Sequence, residues 1–341
     1  MITMKDIAKE AGVSRPTVSL VLNGRDSQIR ISPETRDLVF KAAEKLGYRR
    51  NVLATSVKTG KSNIIGFVGS IYGDYVMSAI QGINNCVQDH NYLLKLMVPK
   101  LDGNNKFLIN KIARQCVEQR LGGVVCRSLT EDQLEVLRSE LEPNNIPVVL
   151  VDNSYSHDWC SRVISDDSTG IQLAVDHLVS LGHKKITHLT LDYTTAFISL
   201  RREGYIKGMK KHGLPVSEDS FVYAGREIYL TEKMYRNFDE YMERVQPTGI
   251  VSVADPLAMK FLQWAYRRNV KIPDEVSVVG YGNLDFSLLT SPALTTVNQF
   301  FEKMGYVAAK NLFKIIEGGA SKKEIIVPVE LLVRESTGKV K

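Results

Sequence analysis

Cysteine and histidine are scarce in this 341-residue chain, and their spacing removes several classes of protein. The six histidines form no short-range ligand pair, and neither the H-E-x-x-H nor the G-x-S-x-G pattern occurs. The four cysteines lie too far apart in sequence to bind zinc or form a redox pair, so we expect reduced, buried thiols at Cys86, Cys116, Cys126 and Cys160. The sequence therefore predicts no metal site, no cofactor and no catalytic residue.

Apolar runs long enough for a signal peptide or a membrane span are also missing, and the first twenty residues are charged and amphipathic. We therefore expect a cytoplasmic protein without a membrane partner. With 44% hydrophobic residues the chain can bury a sizeable core, and its length predicts two or three folding units.

A complete phosphate-binding loop is absent too, although T-G-K-S at residues 59–62 resembles the end of one. The G-x-x-x-x-G-K-[ST] pattern requires a glycine where Thr55 stands, and the segment precedes a predicted strand instead of following it. We therefore reject a nucleotide-hydrolysing enzyme and predict that the chain is not an enzyme.

Net charge is present but unevenly placed. Residues 1–61 carry 12 Lys or Arg against 6 Asp or Glu, whereas the remainder of the chain is balanced, so the first sixth of the chain holds the whole net charge of +6. Contact with phosphates and release of counterions require such a surplus in a small nucleic-acid-binding module. A solvated basic surface is the alternative on charge alone.

Two short helices around a glycine turn are predicted in this basic region. Thr3 can cap a first helix, Gly12 ends it, and Ser14 can cap a second helix that has Pro16 in its first turn. The apolar stripe expected to face inward on the second helix consists of Val18, Val21 and Leu22.

A third helix is predicted from Ser32, as its cap, to Gly47, with Pro33 as the first helical residue. Its inward apolar residues are Leu38, Val39, Ala42, Ala43 and Leu46. Two short helices joined by a tight turn and braced by a third form a helix-turn-helix.

The segments M-K-D-I-A-K-E-A-G-V-S-R-P-T-V-S-L-V-L-N-G and I-S-P-E-T-R-D-L-V-F-K-A-A-E-K-L-G-Y resemble the DNA-binding headpiece of the LacI/GalR family of bacterial transcription regulators. The resemblance continues through "IPVVLVD", "GIQLAVDHLVSLGHKKI", "RREGY", "VSVVGYGN", "LTTVNQ" and "RESTG", and so covers essentially the whole chain. It implies a headpiece at residues 1–48, a linker at 49–61 and a two-lobed effector-binding and dimerisation core at 62–341.

The resemblance also implies that the second helix enters the major groove of an operator. The positions that would read base edges are Arg15, Pro16 and Leu20. Short polar side chains suited to phosphate contact, or to capping alone, are Thr3, Ser14, Thr17, Ser19 and Asn23.

In this family the linker forms a short helix that wedges a leucine from each of two subunits into the minor groove. Aligned from Tyr48, that position is Val57 here, and Leu53 is a rival candidate one turn earlier. A proline that is usual near the start of the linker is Arg50 in this chain. A flexible tether is the alternative interpretation of the segment.

Short apolar runs alternate with helical stretches from residue 62 onward, which predicts parallel sheets covered on both faces. The runs are N-I-I-G-F-V-G, Y-L-L-K-L-M-V, G-G-V-V-C, I-P-V-V-L-V-D, K-I-T-H-L-T-L, G-I-V-S-V-A-D and V-S-V-V-G-Y. The resemblance implies an α/β core of the periplasmic-binding-protein type. We expect a first lobe at about residues 62–162 and 293–324, and a second at 163–292 and 325–341.

Ligands of open parallel sheets bind beyond the carboxyl ends of the strands, so residues that follow the apolar runs should line a cleft between the lobes. From this rule and from the resemblance, the candidate effector-binding residues are Ser70, Tyr72, Asp74, Trp159, Arg201, Glu227, Asp255 and Tyr281. Arg201 occupies the effector arginine of the family's R-x-x-G-aromatic pattern, and a helix-steadying salt bridge is its alternative role. Plain packing is the alternative for Trp159 and Tyr72.

Three positions depart from the family pattern expected for a sugar. Gly282 replaces the aspartate of G-Y-D, Ala254 replaces an asparagine, and Glu227 stands near a position that often carries an aromatic platform. The effector is then a sugar or related metabolite, a different or cationic compound, or none.

Two functions follow from the sequence. The first is an effector-controlled repressor that binds a pseudo-palindromic DNA operator as a homodimer, with tetramers left open. The second is a solute-binding protein or catabolic enzyme whose basic N-terminus is incidental. Removal of residues 1–61 distinguishes them.

Overall fold

The computed structural model describes residues 2–22, 31–48, 62–71, 73–100, 108–153, 156–192, 195–225 and 231–340. The chain divides into two compact units, Met1–Ser62 and Asn63–Lys341. Within the described residues no helix combines the length and the apolarity that a membrane crossing needs.

The first unit contains a helix-turn-helix whose ends are set by local signals. Its described helices are α1 (Met4–Glu10), α2 (Arg15–Leu22) and α3 (Pro33–Lys45). The backbone N–H of Thr17 donates to Ser14 Oγ at 3.2 Å and that of Thr35 donates to Ser32 Oγ at 3.2 Å, so both predicted serine caps form. Gly12 has φ +64°, a left-handed conformation that suits glycine and turns the chain between α1 and α2.

Small and β-branched side chains fill the core of this unit. The buried residues are Ile7, Ala8, Val18, Val21, Val39, Ala42 and Ala43. Leu38 was expected to face inward and instead is 52% exposed, because Val39, Ala42 and Ala43 already define the buried face of α3.

The first lobe of the second unit is built on a six-stranded parallel sheet in the order β11-β5-β4-β3-β1-β2. Its described strands are β1 (Ile64–Val68), β2 (Leu93–Met97), β3 (Gly123–Cys126), β4 (Val148–Val151), β5 (Ser161–Ser165) and β11 (Glu324–Val327). Its helices are α4 (Asp74–Asp89), α5 (Asn110–Glu118), α6 (Glu131–Leu141) and α11 (Phe301–Ile316).

The second lobe has a six-stranded sheet in the order β12-β10-β9-β8-β6-β7, in which only the edge pair of β10 with β12 is antiparallel. Its described strands are β6 (Ile186–Leu191), β7 (Phe221–Ala224), β8 (Gly249–Ser252), β9 (Ser277–Gly282), β10 (Thr295–Asn298) and β12 (Glu330–Leu332). Its helices are α7 (Asp167–Ser180), α8 (Ala196–Lys211), α9 (Glu232–Val245) and α10 (Asp255–Arg267).

All three lobe boundaries expected from the sequence differ from those that the strand order defines. The first expected boundary, 162/163, falls inside β5, which belongs wholly to the first lobe. The second placed residues 293–298 in the first lobe, but β10 pairs with β9 of the second. The third assigned residues 325–327 to the second lobe, but β11 pairs with β5 of the first. The places where the chain crosses between the lobes are set by strands that pair although they lie far apart in sequence. A local apolar pattern gives no information about such pairings.

All four cysteines are buried free thiols, as expected. Burial raises the pKa of the Cys86 and Cys160 thiols to about 11 and that of Cys116 to about 12, so these side chains stay protonated and inert at neutral pH. The described residues contain no group of three or more His, Cys, Asp or Glu side chains that could hold a metal ion.

The fully buried His188 gives the second lobe a specific pH dependence. Its Nδ1 lies 2.9 Å from the carbonyl oxygen of Val251, its Nε2 has no hydrogen-bond partner, and burial lowers its pKa to about 4. The neutral ring is therefore the form that the fold accepts, with Nδ1–H as the donor.

We expect the free energy of unfolding to fall as the medium becomes acidic, because of His188. The unfolded state, with a His pKa near 6.5, takes up a proton first, so the stabilisation is complete above pH 6.5 and declines as the pH falls toward about 4. The decline is roughly 3 kcal/mol for such a shift. The difference in free energy of unfolding between the parent and His188→Gln, measured by urea denaturation, should shrink over this range. A pH-independent difference would contradict the prediction.

Candidate nucleic-acid interface and effector cleft

Hydroxyl groups at the N-termini of α1 and α2 are already engaged in capping. Thr3 donates from its backbone N–H and its hydroxyl to Asp6 Oδ2, at 2.8 and 2.7 Å, which holds the pKa of Asp6 below its usual value. The hydroxyls of Ser14 and Thr17 lie 2.8 Å apart. These three side chains therefore stabilise the N-termini of the helices, and any contact with phosphate would be an additional role.

The outward face of α2 carries the predicted base-reading residues. Arg15 and Pro16 are exposed, and Ser19 and Leu20 are partly exposed, while Val18 on the same helix is completely buried. A helix anchored by one face and open on the other can be inserted into a groove without unfolding. The predicted contacts Asn23 and Val57, and the rival Leu53, lie outside the described residues.

A cavity of about 470 Å³ lies between the two lobes. It opens at the carboxyl ends of strands from both sheets, as the rule for parallel sheets requires. Its walls include Tyr75, Arg127, Asp152, Gln299 and Phe301 on one side, and Phe197, Arg201, Ala254, Lys260, Tyr281 and Gly282 on the other.

Two of the candidate effector residues, Arg201 and Tyr281, line this cavity. Ser70 is not among its described lining residues, and Trp159 packs against the core of the first lobe. Tyr72 and Glu227 lie outside the described residues, and Asp74 begins α4 but its side chain is not described.

Arg201 is held by its own lobe as well as facing the cavity. Its side chain is 5% exposed; Nε donates to Asp167 Oδ1 at 2.8 Å, and Nη1 donates to the carbonyl oxygen of Val253 at 2.6 Å. The guanidinium carbon lies 3.8 Å from the centroid of the Tyr281 ring. Burial raises the pKa of Asp167, against the opposing charge of Arg201. The salt-bridge role is therefore present in the fold.

Asp255 was predicted to line the cleft, and the structure places it behind the wall. It is completely buried, Oδ1 accepts from the Thr296 hydroxyl at 2.6 Å, and Oδ2 accepts from the backbone N–H of Leu284 at 2.9 Å. A Cβ at Gly280 would lie 2.2 Å from Asp255 Oδ1, so this position of β9 accommodates only glycine. Asp255 joins the start of α10 to β9 and β10, and both oxygens are occupied.

The sequence interpretation missed Arg127, which directly follows β3. Its side chain is 5% exposed, Nη2 pairs with Asp152 Oδ2 at 2.5 Å, and Nη1 donates to Ser128 Oγ at 2.9 Å. The guanidinium carbon lies 4.4 Å from the centroid of the Tyr75 ring, and the buried Nε–H has no hydrogen-bond partner. Its place after the apolar run "GGVVC" was the available signal.

Comparison with known families agrees with both units. Residues 3–51 match the family described as bacterial regulatory proteins, lacI family, and residues 175–337 match the periplasmic binding protein-like domain. The chain therefore carries a LacI-family helix-turn-helix domain followed by a periplasmic-binding-protein-like domain. The chain is 28% identical over 341 residues to the HTH-type transcriptional repressor PurR of Pasteurella multocida, with 98% of each chain covered. It is 27% identical over 344 residues to the probable HTH-type transcriptional repressor ExuR of Bacillus subtilis, again with 98% of each covered.

Solved structures of transcriptional regulators share the fold of this chain. The lac repressor dimer bound to operator and the anti-inducer ONPF superposes with a TM-score of 0.75 at 24% identity, covering 99% of each chain. A complex of the transcriptional regulator CelR with cellobiose gives 0.70 at 23% identity, covering 98% of this chain and 100% of that one.

Within the cleft, the missing carboxylate at Gly282 is a structural feature of β9. Gly282 has φ +135°, a conformation that L side chains rarely adopt, so an aspartate here would be strained. The nearby Asp255 cannot replace it, because its oxygens are used within the lobe. The cleft is therefore poor in carboxylate acceptors among its described residues.

Proposed function

We propose that this protein is a LacI-family transcriptional repressor that binds a pseudo-palindromic operator as a homodimer and responds to a small-molecule effector in the inter-lobe cleft. The observation that carries the proposal is α2, a capped helix with one face buried and with Arg15 and Pro16 exposed at its N-terminus. The surplus positive charge of residues 1–61 supports it. Such a repressor acts in the cytoplasm, on the nucleoid.

Operator recognition then divides between the side chains of α2. Arg15 can donate two hydrogen bonds to one guanine, whereas Pro16 and Leu20 offer apolar contact to a thymine methyl. The hydroxyl residues and Asn23 contact phosphates, and Val57 enters the minor groove as a shorter wedge than leucine.

Effector control is supported by the three crossings between the lobes. Near one crossing, Gln299 Nε2 donates to Ser165 Oγ at 2.9 Å in a buried hydrogen bond. An effector that binds one arrangement of the lobes more tightly shifts the equilibrium toward it, and operator affinity changes by the same coupling free energy.

Dimerisation is supported by apolar side chains on the edge strand β2 and just beyond it. Leu93 is 67% exposed, Leu96 is 45% exposed and Val98 is 38% exposed. A second copy of the chain that covers this edge would remove them from water and pair the strand's open side. Pairing of two dimers into a tetramer would need a further surface.

Substitution of Arg15 by alanine tests the readout. We expect Arg15→Ala to lose about 1–3 kcal/mol of preference for the operator over a variant with its contacted base pair changed, because a bidentate contact to guanine disappears. Gel shift on operators selected from genomic DNA by the parent protein measures this preference. Arg114→Ala, which removes an exposed charge from the second unit, is the control. Unchanged specificity in Arg15→Ala would refute the assignment.

Removal of the first unit separates the two functions considered. A chain that starts at residue 63 should lose operator binding and keep ligand binding if the protein is an effector-controlled repressor. Full retention of every activity by this shortened chain would favour a solute-binding protein or an enzyme.

A further inference from the structure

The chemistry of the cleft indicates what kind of effector it accepts, and the argument rests on the proposed regulatory function. Among the described lining residues, Arg127, Arg201 and Lys260 carry positive charge, and Asp152 is the one carboxylate. A neutral sugar presents many hydroxyl donors and is recognised through acceptors as well as donors. The described lining therefore holds three cationic side chains against one carboxylate, and Arg201 is already paired with Asp167 of its own lobe.

Arg127 has an unsatisfied hydrogen-bond donor that a ligand could engage. A buried guanidinium has five N–H donors, and a donor left without an acceptor destabilises a buried site. Asp152 and Ser128 each take one donor, while the buried Nε–H has no partner. Asp152 gives one of its two oxygens to Arg127, so only part of its acceptor capacity is left for the hydroxyl groups of a ligand. An incoming oxyanion would satisfy the remaining donors through charge-assisted hydrogen bonds.

Aromatic side chains border this cationic centre. The rings of Tyr75 and Phe301 lie 5.4 Å apart on the first lobe, and the ring of Phe197 lies 5.0 Å from the guanidinium carbon of Arg201 on the second. A ligand with a flat apolar face could lie against these rings while its anionic group reaches Arg127.

We infer that the effector is a small organic anion, a carboxylate or a phosphate ester with an apolar face, whose anionic group binds Arg127. This inference replaces the neutral or cationic effector that the substitutions at Ala254 and Gly282 left open. Sulfate-sized inorganic anions alone would leave the aromatic walls uncovered, so the organic part contributes to affinity.

The test is a panel of carboxylates and phosphate esters, each paired with its neutral amide, alcohol or sugar, on the full-length protein. Thermal shift finds the ligands, and calorimetric titration gives the dissociation constants. We expect the tightest ligand to be an anion that binds at least tenfold better than its neutral partner and weakens as KCl rises. The carboxylate and phosphate halves of the panel distinguish the two anionic groups.

Substitution at Arg127 tests the position of the anionic group. Arg127→Met should weaken the best anion at least tenfold and leave its neutral partner unchanged, whereas Arg127→Lys should retain part of the affinity. Arg114→Met, which removes a charge from the exposed face of α5, should bind like the parent. If Arg127→Met unfolds, the double variant Arg127→Met/Asp152→Asn removes both charges of the buried pair and takes its place.

Three results would overturn the inference: a neutral ligand that binds best, no stabilising anion in the panel, or unchanged anion affinity in Arg127→Met. The proposed function is judged separately by gel shift. A neutral ligand that alters operator binding would leave the regulator intact and reject the anionic effector, whereas absence of operator binding in every condition would reject the regulator itself.

Discussion

Replacement of Arg201 by methionine should destabilise the second lobe by about 3–5 kcal/mol, because it leaves a buried carboxylate without its partner. Asp167 is 6% exposed, and Arg201 contacts one of its oxygens through two nitrogens, at 2.7 and 2.8 Å. The substitution also leaves the Val253 carbonyl without the Nη1 donor. Ser165 still donates to Asp167 at 3.2 Å, but a neutral hydroxyl does not replace a guanidinium.

Urea denaturation followed by the fluorescence of Trp264, which is buried in the second lobe, measures the effect. Arg244→Met is the matched control, since its ion pair with Asp219 lies exposed on the surface of the same lobe and is screened by water. The double variant Arg201→Met/Asp167→Asn should recover much of the loss, because no unpaired charge remains. A loss below about 1 kcal/mol in Arg201→Met would show that the pair does not support the fold.

A methyl group at Gly82 should destabilise the first lobe by about 3 kcal/mol or more, because α4 and α11 touch through their backbones. A Cβ at Gly82 would lie 1.8 Å from the carbonyl oxygen of Glu302, and a Cβ at Gly305 would lie 2.0 Å from that of Ala79. Neither obstacle is a flexible side chain, so the helices must separate. Separation exposes the apolar faces by which both helices cover the sheet.

Gly82→Ala is measured through Trp159, the tryptophan that packs against the core of the first lobe, in a Trp264→Phe background. We expect the urea midpoint reported by Trp159 to fall. Gly319→Ala, whose Cβ would meet its nearest atom at 3.4 Å, is the control and should change stability by no more than about 0.5 kcal/mol. A parent-like midpoint for Gly82→Ala would contradict the close approach of the helices.

The helix-turn-helix was predictable in detail because its signals are local. Ser14 and Ser32 cap helices three residues before the N–H groups they accept from, and Gly12 ends α1 by its own backbone freedom. The buried stripe of α2 follows from spacing alone. Leu38 was the error, since a helix that is apolar on more than one side does not reveal which side a partner covers.

The cleft was predictable as a place but not residue by residue. The rule that ligands bind after the strands selects Arg127 and Tyr281 equally, because both stand at the ends of apolar runs. It selects Asp255 too, although this carboxylate turns inward to Thr296 and Leu284. The direction in which a side chain points depends on the residues that surround it in the folded sheet, and those residues come from distant segments of the chain.

The sequence by itself determined the capped helices of the first unit and the parallel strands with continuous apolar runs, since each depends on residues within about one turn or one strand. The division into headpiece and core followed from the resemblance to a known family. Tertiary structure alone decided the lobe crossings at β5, β10 and β11, the burial of Asp255 and the pairing of Arg127 with Asp152. These features join residues that are dozens of positions apart. Their free energies depend on which surfaces meet and exclude water, and a local pattern carries no information about that meeting.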